Sequence, residues 1–174
     1  MINFKKIKEQ FIQRKFDKKL SDFLKDKVAS STKISSVGIL TTDEISSKID
    51  LQKKIEEGLN IRNSKIYSLR KFDKINEASF KHFSEKDMNW KGQVLDASFQ
   101  SFLNQPFDLL INMYNKNNLY LEFATLHSTA SFKVGFSNVN EALFDLEISE
   151  QIENLDSFIS EVKKYLQILQ KLEN

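Results

Sequence analysis
The chain contains no cysteine. That excludes a disulfide framework, a thiolate metal site and a cysteine nucleophile, and it fits a cytoplasmic address. Proline occurs once and glycine four times in 174 residues. Backbone breakers are therefore scarce, and most of the chain is expected in regular elements. No apolar run approaches the roughly 20 residues that cross a bilayer, so no transmembrane segment is expected. The basic start is not followed by an apolar stretch of signal-peptide length. Neither G-x-G-x-x-G nor G-x-x-x-x-G-K-[ST] occurs, so a nucleotide fingerprint is missing. The two histidines, His82 and His127, lie 45 residues apart without H-x-x-x-H spacing. They read as exposed or structural side chains, with Asp87 and Glu122 as candidate neighbours; no metal and no cofactor is implied.

What is present is phenylalanine and unevenly placed charge. Fifteen Phe stand against one Trp and four Tyr, and hydrophobic content is 40% with 29% charge. This is the composition of one globular domain, not of a disordered tail. Residues 1–33 hold ten basic and four acidic side chains, a net of +6; the whole chain carries +2, which leaves −4 for the rest. Within that basic segment, Phe4, Ile7, Phe11, Ile12, Phe16, Leu20, Phe23 and Leu24 recur at helical spacing. The pattern predicts a helix over 3–28 and a polar linker over 29–33, followed by a single domain over 34–174.

The domain alternates in character. Strands are predicted at 34–41, 64–71, 107–113, 131–136 and 144–148, with a short one near Phe80–Phe83. Helices are predicted at 44–59 with Asp43 as N-cap, at 95–104, at 117–128 and at 151–172. Residues 106–136 read as one β-α-β crossover: an apolar run, a polar knot, a helical pattern and a second apolar run. Such alternation implies an α/β domain with a mainly parallel sheet between two helical layers. The last strand follows its neighbour by a short connection and is expected to pair antiparallel at an edge.

Several segments carry a resemblance. F-S-x-K-D-x-N-W-K-G (Phe83–Gly92), Q-P-F-D-L-L-I-N (Gln105–Asn112), F-K-V-G-F-S (Phe132–Ser137) and the ending K-Y-L-x-I-L (Lys164–Leu169) resemble a family of small uncharacterised proteins of flavobacteria and their relatives. The resemblance spans nearly the whole chain and brings no catalytic residues with it. Residues 107–136 are also similar to a unit of heptosyltransferase-type glycosyltransferases. That likeness implies a Rossmann-like three-layer sandwich; the second domain those enzymes need has no room in 174 residues.

In such sheets ligands bind beyond the carboxyl ends of the strands. Three polar clusters fall there: Thr41-Thr42-Asp43, Asn112 with Asn115, Lys116, Asn117 and Asn118, and Ser137-Asn138. They can cradle a phosphate or carboxylate, or simply cap helices and make turns. The ligand-binding candidates are Thr42, Asn112, Asn115, Lys116, Ser137 and Asn138. The interaction candidates are Phe11, Phe16, Lys15 and Lys18 on the first helix, and Trp90, which either meets a partner or covers the sheet edge. The helix itself can dock on its own domain, on a second copy or another protein, on an anionic membrane surface, or on RNA. The leading expectation is a cytoplasmic, non-catalytic interaction module. The alternative is a small ligand-binding protein or enzyme that uses the strand ends, and a polar pocket at that edge would favour it.

Overall fold
A computed structural model describes residues 4–26, 28, 30–73 and 81–173. Six strands form one sheet: β1 (Val37–Thr42), β2 (Ser64–Leu69), β3 (His82–Phe83), β4 (Leu109–Met113), β5 (Phe132–Phe136) and β6 (Leu146–Ile148). Their spatial order is β3-β2-β1-β4-β5-β6, and every pairing is parallel. Each residue of β4 and β5 is buried, as strands covered on both faces must be. Leu109, Ile111, Phe132 and Val134 of the 106–136 crossover are at most 7% exposed.

Helices α1 (Phe4–Asp26), α2 (Asp43–Ser46), α3 (Leu51–Leu59), α4 (Ala97–Asn104), α5 (Leu119–His127) and α6 (Leu155–Ile168) complete the described regular elements, with one 3-10 turn at Glu141–Leu143. Right-handed crossovers leave β1 and β4 in opposite directions, which puts α3 and α5 on opposite faces. Accordingly α3 packs with α6, whereas α5 packs with α4 and α1. Seven of the nine residues of α5 are buried. A helix apolar all round needs cover on every side. The sheet covers one side of α5, and α1 covers the outer one through Ile12 and Phe16, at 0% and 2% exposure.

Three expectations change. The last strand lies at the edge but runs parallel to β5. A parallel return ordinarily needs a dozen or more residues. Here β5 is only five residues long, about 17 Å at 3.3 Å per residue, so the nine residues between it and β6 span it easily. The helix predicted over 44–59 is two. Thr42 takes the N-cap position of α2, and Asp50 caps α3 by accepting the Lys53 N–H at 3.1 Å. Asp43 is thereby the first helical residue, with its carboxylate turned elsewhere. Asn3, Lys27, Ala29 and Phe80, at the margins of predicted segments, lie outside the described residues.

Candidate functional site
The strand order reverses between β1 and β4, where two neighbouring chains leave the sheet in opposite directions. A crevice is expected at that point, outside the carboxyl ends. The cleft found there measures about 1080 Å³. Thr42 and Asp43 from the end of β1 form one wall, Tyr114–Asn118 beyond β4 another, and Arg70 after β2 a third; Lys5 of α1 closes a side. Five basic and five acidic side chains line it.

Asp43 organises the floor. Its Oδ1 lies 3.0 Å from His82 Nε2 and its Oδ2 3.7 Å from Arg70 Nε. One carboxylate thus ties the ends of β1 and β2 to the start of β3. The neighbour of His82 is therefore Asp43, not the expected Asp87 or Glu122. Asp87 accepts the Ser84 N–H at 2.7 Å within its own loop. Glu122 serves α5: its Oε1 accepts the Asn118 N–H at 2.9 Å, while Asn118 Oδ1 accepts the N–H groups of Tyr120 and Leu121. This reciprocal capping satisfies the start of α5 and puts a buried negative charge at its positive end. The helix terminus that a Rossmann-like fold offers to phosphate is occupied by the protein's own groups.

Tyr120 stands behind this edge. It is 8% exposed, and its hydroxyl is buried. Burial, with Glu9 and Glu85 adding to it, pushes the phenol up to about 12. Lys8 donates to the Glu85 carbonyl at 2.6 Å, pinning α1 against the rim. Burial pulls the Lys8 ammonium below its usual range, and the nearby Glu85, Asp87 and Glu9 work against that.

The expected residues separate. Thr42, Asn115 and Lys116 line the cleft together. Asn138 supports it by donating to the Asn115 carbonyl at 2.9 Å. Ser137 is not in the lining; its N–H bonds the Ile148 carbonyl. Asn112 is fully buried beneath the cleft, its Nδ2 donating to the Val134 carbonyl and its Oδ1 bonded to Thr125. It is a sheet-interior tie, not a cleft residue. Of the helix residues, Phe16 faces the core, whereas Phe11, Lys15 and Lys18 face outward. Trp90 packs on Phe11 of α1.

A family model matches residues 8–169. The chain belongs to DUF6913, a family of unknown function. No curated protein and no solved structure matches it. Neither the flavobacterial source nor the heptosyltransferase-type likeness finds support in a match. Two motif residues of this DUF6913 protein serve the architecture. Asp108 of Q-P-F-D sits at the opposite, amino end of the sheet and accepts four hydrogen bonds from Ser35 and Ser36. Burial would raise its carboxyl, but those bonds outweigh it and hold the group below the usual range. Gly135 of F-K-V-G-F lies under the Phe144 ring, where a Cβ would approach to 2.3 Å. Among the described residues, no group of three or more His, Asp or Glu side chains is placed to hold a metal, and no helix is long and apolar enough to cross a membrane.

Sequence reasoning missed Arg70, Lys5, Tyr120 and the Asp43–His82 pair. Arg70 was legible in principle, since the same strand-end logic applied to β2. The strand predicted over 64–71 runs two residues past the observed end of β2 at Leu69, which hides Arg70 inside it.

Proposed function
We propose that this protein binds a small polar molecule in the switch-point cleft and acts in the cytoplasm as a ligand-binding protein. The observation that carries the reading is the position of the cleft: a concave space with charged and polar side chains in its lining, at the one place where the strand order reverses. The lining favours a compact ligand with charges of both signs, because basic and acidic groups are balanced. It disfavours a polyphosphate. The turn after β1 carries Asp43 and Glu44 where a nucleotide site needs glycines, and Asn118 and Glu122 already cap α5.

A thermal-shift screen of amino acids, small carboxylates, sugars and nucleotides tests this, followed by calorimetry on any hit. The expected result is saturable stabilisation by a small zwitterionic or polar compound, about 2.7 kcal/mol at a hundredfold excess over Kd. Arg70→Ala and Asn115→Ala should each weaken it. A response to nucleoside triphosphates alone would overturn the ligand class, and no response across the screen would overturn the function.

The interaction-module reading draws its support from the other side of α1. There Phe11 and Trp90 are each about half exposed.

A further inference from the structure
The outward face of α1 carries an aromatic patch that the fold builds and leaves open. Phe11 is 47% and Trp90 48% exposed, with ring centroids 6.2 Å apart. Trp90 sits near the tip of a tight hairpin closed by the Met88–Val94 bridge, with the Asn89 N–H on the Gln93 carbonyl at 3.0 Å. Gly92 wedges that tip in place. Its φ is +71°, and a Cβ there would lie 3.1 Å from the Phe123 ring and 3.6 Å from Lys15 Cβ. The indole is therefore held beside Phe11 by packing against both α5 and α1.

Charge surrounds the pair. Phe4 and Lys18 lie seven residues on either side of Phe11, and Lys15 lies one turn beyond it, so all share one helical face. Arg14 stands 6.0 Å from the centre of the Phe11 ring, and Lys91 follows Trp90. Of the acidic side chains toward this face, Asp22 is bridged to Lys25 at 3.3 Å, and Asp26 lies one turn beyond it at the end of the helix.

We propose that this face rests on an anionic membrane surface, with Phe11 and Trp90 entering the headgroup boundary and the lysines meeting lipid phosphates. Exposed aromatics ringed by basic residues suit an interface that is apolar below and negatively charged above. The composition argues against a protein partner, because lysine is depleted from protein interfaces and predominates here. The geometry argues against stacked nucleotides. Base stacking needs a free aromatic face, and Phe11 is already shared between Trp90 and Arg14. The surface is independent of the cleft, which meets α1 at Lys5.

Trp90 is the chain's single tryptophan, so its emission reports directly on the patch. The full chain is mixed with vesicles of equimolar phosphatidylglycerol and phosphatidylcholine, or of phosphatidylcholine alone, and followed by co-sedimentation and fluorescence. Binding to the anionic vesicles with a blue shift is expected, weakening with added salt. Lys15→Glu with Lys18→Glu, both exposed positions, should lower the affinity about tenfold or more, with an unchanged circular dichroism spectrum. Phe11→Ser should weaken binding as well. The proposal is overturned by absent binding, by equal binding to neutral vesicles, or by an unshifted Trp90 emission. Binding of single-stranded RNA or an acidic peptide that the double variant loses, without vesicle binding, overturns it in favour of that partner.

Discussion

At the residue scale, the polar groups of the interior explain why part of the expected site is architecture. Asn112, Thr125 and Tyr114 form one buried set: the Thr125 hydroxyl lies 2.7 Å from Asn112 Oδ1 and 2.8 Å from the Tyr114 hydroxyl. Burial pushes the Tyr114 phenol well above its ordinary value, so it stays neutral. Thr125→Val keeps the shape but strands both neighbours, and a buried group left without a partner costs about 1–3 kcal/mol. Urea denaturation should show a loss of that size, while Thr125→Ser should show less. His127 is the residue with a readable pH dependence. Burial drops its pKa from 6.5 to about 4; nearby Lys19 and Lys133 contribute, and its bond to the Phe123 carbonyl opposes them. Between those values the unfolded chain takes up a proton that the folded chain refuses. Stability is therefore complete above about pH 6.5 and declines as the pH falls toward about 4. His127→Gln should reduce the difference between urea midpoints measured at neutral and mildly acidic pH. An unchanged difference would remove His127 from the acid response.

At the element scale, α1 was legible as a helix with a stripe, but not which stripe residues face inward. Helical spacing places Phe11, Ile12 and Phe16 within one broad arc. Packing splits them: Ile12 and Phe16 enter the core over α5, and Phe11 stays outside with Trp90. The cause is a neighbour distant in sequence, since the orientation of α1 follows the outer surface of α5 and the Lys8–Glu85 contact. Ile12→Asp with Phe16→Asp should detach α1, because two charges would otherwise be buried without partners. Limited proteolysis should then cut within residues 1–30, and exposed α5 should bind a hydrophobic dye. Phe11→Asp alone should change neither. Rapid cleavage of Phe11→Asp in that region would show that the two faces have been assigned the wrong way round.

At the scale of the whole molecule, one core runs from Ile12 of α1 to Leu166 of α6 and includes Phe83, Phe99, Phe107, Phe123, Phe136 and Phe158, all fully buried. Stacked rings link its parts, as in Phe83–Phe99 at 4.0 Å and Phe136–Phe158 at 4.4 Å. A single continuous core predicts a single cooperative transition. Trp90 emission, which reads the junction of α1 with its hairpin, and far-ultraviolet circular dichroism should therefore give coincident urea curves. An earlier Trp90 transition would mean that the first helix unfolds as a unit of its own.

Local pattern determined the elements of this chain. Buried parallel strands need apolar runs, and amphipathic helices need a 3.6-residue period, so L-L-I-N-M and F-K-V-G-F announced themselves along with their crossover. Parallel pairing followed from the intervening helix. Tertiary structure decided the rest. The direction of β6 depended on how short β5 is, a length that a hydrophobic pattern marks only to within a few residues. The cleft depended on strand order, because reversal between β1 and β4 is what separates their exits. Its groups, Lys5, Asp43, Arg70 and Asn115, come from four separate segments. No spacing along the chain encodes their meeting, since only the packed sheet brings those segments to one edge.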